Sequence, residues 1–241
     1  MAARAPVVQR QLRRPSLVTR LFGAGFRLLS MLVLALCFSI LLEWIGMSFW
    51  WPDQGVRHSE RMLAHELRYL NSGLTSGVTV VAPVELARSA AARSEGLLEF
   101  VGVDRLARWL NSPAPTAGWS AGFHDLARGS GIYVEAMVNT VQTFSVRVIV
   151  LLFATPVFLL FGFVGLAEGL MRRDLRRWGG GRESSFLYHH SKKFLAPSVV
   201  AAWMLYLAMP FSVYPNLIVL PFAVLFAVGM ALTTGTFKKY L

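Results

Sequence analysis

The chain has 241 residues, 55% of them hydrophobic, with a mean hydropathy of +0.51 and a formal net charge of +11. Soluble domains are usually about 45–50% apolar and do not gather those residues into runs of about 20; this chain does, which excludes an ordinary soluble globular domain. The single cysteine, Cys37, excludes an intramolecular disulfide and a cysteine metal cluster.

A charge this positive resembles that of a nucleic-acid binder until it is located. Residues 1–42 hold six Arg (Arg4, Arg10, Arg13, Arg14, Arg20, Arg27) and no acid. Residues 52–143 are close to neutral, with eight Arg against nine Asp/Glu. Residues 170–194 hold seven Lys/Arg against two acids, and Lys238 and Lys239 lie at the end. Each basic segment borders a hydrophobic run, the pattern of the positive-inside rule.

In chain order, residues 1–27 read as a basic cytoplasmic tail and residues 28–51, "LLSMLVLALCFSILLEWIGMSFWW", as a first membrane span. At 1.5 Å per residue this run covers a hydrocarbon core of about 30 Å. Arg27 marks its inner end, and Trp44, Phe49, Trp50 and Trp51 form an aromatic belt at the outer one. A cleaved signal peptide is the rival reading, but the basic region is long and no A-x-A-like site follows, so the run is read as an uncleaved anchor. Cys37, inside it, reads as a small apolar packing residue.

Residues 52–143 predict a helical domain on the outer side. "WPDQGVRHSERMLAHELRYLNSG" has Pro near its start and Asn-Gly chemistry near its stop, with Leu63, Leu67 and Leu70 on one face. "PVELARSAAARSEGLLEFVG" is a second helix, rich in alanine. "VDRLARWLN" is a short third, with Leu106, Trp109 and Leu110 as its apolar side. "SPAPTAGWSAG" breaks the pattern, and a helix from about His124 leads into the next span. A domain this small has a modest core and leans on the membrane or a partner.

Further spans are expected at residues 144–170, 194–213 and 217–237, with a basic loop at 171–193 and a cytoplasmic end at 238–241. Only Tyr214, Pro215 and Asn216 separate the last two, which predicts an antiparallel hairpin. Pro156 and Pro221 fall inside spans, where neighbouring helices tolerate them. The fold expected is an all-α membrane protein with four transmembrane helices, both termini inside, and one helical domain outside between the first two.

"RRDLRRWGGGRESSFLYHHSKKF", residues 172–194, is the most distinctive stretch. Gly179, Gly180 and Gly181 lack the G-x-x-x-x-G-K-[ST] context of a phosphate loop and more simply let the chain turn, with Ser184 or Ser185 capping a following segment. Arg172, Arg173, Arg176, Arg177, Arg182, Lys192 and Lys193 suit anionic headgroups or a docking partner, with Trp178, Phe186 and Tyr188 at the interface; direct DNA contact is the weakest of these readings. Adjacent His189 and His190 point apart on a helix or strand. His58 and His65 could share a helix face, but no H-E-x-x-H follows, so no metal site is expected.

Glu43 and Arg147 lie off-centre within spans, where charge is costly. Either they pair and tie two helices together, or each snorkels to the interface. Ser120 and His124 share a loop without an oxyanion hole, and no chain of polar groups crosses the spans. Gly165 and Gly169 form one GxxxG, able to bring a helix close. These readings assign no catalytic residue, cofactor or small-molecule substrate, and point away from an enzyme.

"RRDLRRWGGGRESSFLYHHSKKF", "YPNLIVLP" and "TGTFKKYL", together with the anchor, helical segment and later spans, resemble a family of bacterial integrating conjugative element membrane proteins. The resemblance covers nearly the whole chain. It implies a Gram-negative inner membrane, with residues 52–143 periplasmic, and an association with conjugative type IV secretion and its coupling ATPase. The family's biochemical role is not established, so it carries no site residues over. It implies a non-enzymatic component or accessory factor of DNA transfer, the alternative being an exclusion factor acting in the recipient cell.

Overall fold

The computed structural model describes residues 16–74, 82–112, 127, 129–179 and 185–236, and among these it is all-helical, with seven helices. The helices are α1 (Leu17–Phe49), α2 (Val56–Leu74), α3 (Ala82–Val101), α4 (Val103–Asn111), α5 (Gly131–Gly179), α6 (Ser185–Ala208) and α7 (Pro215–Gly235). The chain divides into two compact units, residues 1–34 and 35–241.

In the first unit α1 opens on Ser16, whose hydroxyl accepts the Thr19 backbone N–H at 3.2 Å. This is the N-cap arrangement that satisfies one of the first free amides. Val18, Leu21, Phe22 and Phe26 are exposed, as on a helix whose solvent is lipid.

In the second unit α1 continues with Ala35, Ser39, Glu43, Gly46 and Met47 turned inward and Phe38, Leu41 and Ile45 outward. Cys37 is on the exposed side as a free thiol. Of the expected aromatic belt, Phe49 and Trp50 are exposed, whereas Trp51 is buried. It packs with Met47 and Ala136, because the Trp50 and Trp51 amides both donate to Gly46 O at 2.8 Å and wrap the helix end inward.

α2 lies along α5 in the same direction, since Ser59 meets Asn139 and Glu66 meets Arg147. Its buried line is Ser59, Met62 and Glu66, with Leu63 and Leu67 only half-buried beside it. α3 buries Ala87 and Ser94, seven residues apart, a narrow small-residue face that allows close packing. Gly102, at φ 87°, supplies the left-handed residue that separates α3 from α4. In α4 Leu110 is buried and Trp109 half-buried, but Leu106 is exposed. Ser120, His124 and most of "SPAPTAGWSAG" lie outside the described residues.

α5 is one helix of 49 residues with Pro156 inside it, about 70 Å long at 1.5 Å per residue. It runs without interruption from the expected outer domain, through the second span, and into the expected basic loop. Gly162, Gly165 and Gly169 face α7: a Cβ on Gly165 would strike the backbone of Ala227, and one on Gly169 would strike Thr234 and Ala231. The GxxxG reading is therefore correct, and α7 runs parallel to α5 against this glycine line. α6 returns beside α7, with Phe194 and Leu195 next to Gly229.

Among the described residues three helices are long and apolar enough to cross a membrane: Val18–Phe49 of α1, then α5 and α7. The expected fourth span, 194–213, falls short. Its helix ends at Ala208, so the apolar part at residues 194–208 reaches about 22 Å against a core of about 30 Å, and Lys192 and Lys193 precede it.

Candidate functional site

The short connection between α6 and α7 is held by a buried cluster that α2 and α5 build. Arg147, four turns into α5, is 1% exposed, Glu66 of α2 is 0% and Tyr206 of α6 is 1%. Arg147 Nε donates to Glu66 Oε1 at 2.9 Å, and a second guanidinium nitrogen lies 2.9 Å from the same oxygen. Tyr206 Oη donates to Glu66 Oε2 at 2.9 Å, and Ser212 Oγ donates to Oε1 at 3.3 Å. The Tyr206 ring also lies under the guanidinium, 5.4 Å from Cζ to centroid.

The rest of the guanidinium addresses backbone. It donates to Met209 O and, at 2.7 Å, to Phe211 O. The last carbonyls of a helix have no intrahelical donor, and Pro210 cannot continue the ladder. Arg147 fills the carbonyls that follow the helix, Met209 O and Phe211 O, and so holds the chain in its exit from α6. Tyr69 packs edge-on against Tyr214, with centroids 5.8 Å apart, and Trp51 does so against Phe211 at 6.0 Å. The hairpin tip is thus gripped from α2, from α5 and from the turn that follows α1.

A second cluster joins α1 to α2. Glu43, 1% exposed, faces His58 Nδ1 at 3.0 and 3.2 Å through its two oxygens. Trp51 stacks on the His58 ring at 4.0 Å and 18°. Trp44 Nε1 donates to Tyr133 O at 2.9 Å, tying α1 to the start of α5. Two buried polar atoms, Trp51 Nε1 and Thr143 Oγ1, have no protein partner.

Glu43 and Arg147 are both buried, as charges that are held rather than snorkelling, but the structure gives them different partners. Arg147 takes Glu66, and Glu43 takes His58. Glu66 and His58 are the functional residues that hydrophobic periodicity missed, because both sit on a helix whose leucines point to a neighbouring face. The other histidine considered there, His65, is exposed and tilted against Tyr69. Among the described residues no three His, Cys, Asp or Glu side chains gather.

The basic residues fall in two places. Arg172, Arg173, Arg176 and Arg177 occupy the last two turns of α5, and Arg172 Nε donates to Glu168 Oε1 at 2.7 Å across one turn. Lys192 and Lys193 are exposed on α6. Arg182, Gly180, Gly181, Ser184, Lys238 and Lys239 lie outside the described residues.

Fold and site together define a helical protein built on apolar helices of membrane-crossing length, with a buried ion pair securing a helical hairpin and arginines at the far end of its longest described helix. Residues 50–238 match the family described as IncC plasmid conjugative DNA transfer protein DtrJ-like. The chain belongs to this DtrJ-like family, which implicates it in conjugative DNA transfer. No curated protein and no solved structure matches the chain.

Proposed function

We propose that the protein is a non-enzymatic inner-membrane component or accessory factor of a conjugative type IV secretion apparatus, such as an integrating conjugative element encodes. The family match over residues 50–238 carries this reading. Three helices of spanning length support its membrane setting, and the residue resemblance to integrating-element proteins supports the finer one. By the positive-inside rule the basic end of α5 faces the cytoplasm. Residues 52–143 then face the periplasm, and α6 lies in the bilayer beside α7 as a shorter helix with its lysines at the inner surface.

In this arrangement the periplasmic helices meet envelope components. The cytoplasmic basic residues meet headgroups, a partner such as the coupling ATPase, or both. The test is mating frequency after deletion of the gene in a donor, with complementation, and after its expression in a recipient. Collapse of donor transfer with rescue is the expected result. Unchanged donor transfer with recipients made refractory would replace this reading with an exclusion factor.

A further inference from the structure

The end of α5 has two faces, and they do different work. Leu160, Val164, Met171, Leu175 and Trp178 follow one another at helical spacing along one side and are 62%, 60%, 53%, 64% and 90% exposed. The outward apolar stripe of the spanning region therefore continues without a break to Trp178. On the other side the line that packs against α7, Gly162, Gly165 and Gly169, continues at the same spacing into Arg172, Arg173 and Arg176. Gly235, the last residue of α7, lies against the Cβ of Arg172, and Arg173 and Arg176 are half-buried. These arginines thus lie on the side of α5 that faces the end of α7, opposite the apolar stripe.

We infer that Arg172, Arg173 and Arg176 form a basic platform under the bundle that docks an acidic protein surface, while Met171, Leu175 and Trp178 seat the helix among lipid headgroups. The inference rests on the membrane reading above and assigns the two jobs to two faces. Lipid headgroups ring the apolar side, where a Trp is the usual interfacial anchor. The platform side points into water below the protein. Its guanidinium chemistry is already used on a carboxylate, Arg172 on Glu168, and guanidinium forks match carboxylates bidentately. Residues 170–194 hold seven Lys/Arg against two acids, so the surface that complements the platform is acidic.

The experiment uses the full chain in phosphatidylcholine nanodiscs, with and without phosphatidylglycerol. The probes are a fluorescent poly-glutamate peptide and a DNA duplex of equal charge. The peptide is expected to bind in both kinds of disc and to lose about tenfold or more in affinity in Arg173→Gln/Arg176→Gln. Leu175→Ala/Trp178→Ala is expected to leave peptide binding unchanged. Independently of any loss of binding, nitroxides on Leu175→Cys and Arg176→Cys, in a Cys37→Ser background, are expected to be relaxed by oxygen at 175 and by a water-soluble nickel chelate at 176. Equal peptide affinity in wild type and Arg173→Gln/Arg176→Gln overturns the proposal. So does tighter, arginine-dependent binding of the duplex, or oxygen access at both positions. If peptide binding behaves as expected but donor deletion leaves mating unchanged, the platform stands and the conjugation reading falls.

Discussion

Replacing Glu66 by leucine leaves the buried Arg147 guanidinium with no carboxylate beside it. Removing one partner of a buried pair costs about 3–5 kcal/mol. Arg147→Met is expected to cost a similar amount, because it strands Glu66 and takes the donors from Met209 O and Phe211 O. In Glu66→Leu/Arg147→Met no charge is stranded, and replacing a buried pair by apolar groups is often neutral. What remains is two carbonyls and the Tyr206 and Ser212 hydroxyls without partners, at about 1–3 kcal/mol each where they stay dry; these losses already occur in the single variants. The double variant should therefore lie at least about 2 kcal/mol closer to wild type than the sum of the two singles, within the range of contact couplings. The assay is equilibrium unfolding of the full chain in mixed micelles by SDS titration. Additive losses would refute the argument that the two residues form one unit.

Glu43→Gln and Arg147→Gln, by contrast, are expected to add within about 0.5 kcal/mol in the same titration, since His58 holds one and Glu66 the other. His58→Ala should destabilise by about 1–3 kcal/mol through the stranded Glu43, and Glu43→Gln in that background should recover part of the loss. Gly165→Leu is expected to separate α5 from α7, because even a Cβ there meets the Ala227 backbone; disulfide trapping between Gly162→Cys and Phe226→Cys should form readily in the parent and be lost in Gly165→Leu.

Much of the architecture was legible where one physical signal dominated. The apolar runs gave α1, α5 and α7, and alanine propensity and the apolar side of "VDRLARWLN" gave α3 and α4. The fourth span failed because hydropathy counts Met209 and Phe211 as apolar, whereas their carbonyls are what Arg147 binds. Hydrophobic periodicity pointed α2 at Leu63 and Leu67 because it cannot score a buried line of Ser59, Met62 and Glu66.

The choice of arginine at position 147 follows from what the α6 end requires. Two carbonyls of the α6–α7 connection and one carboxylate lie around a single side chain, in directions set by the chain's exit past Pro210. A lysine ammonium is a compact point charge on a flexible stem, whereas the guanidinium holds five donors in a fixed planar fork. Only the fork can hold Glu66 on one edge and Met209 O and Phe211 O on the other without rearrangement. Glu66 in turn spends its second oxygen on Tyr206, which lies in α6 itself. α2, which is not among the helices of spanning length, is therefore bonded to both α5 and the hairpin tip, so a force applied to α2 would reach α6 and α7 through Glu66.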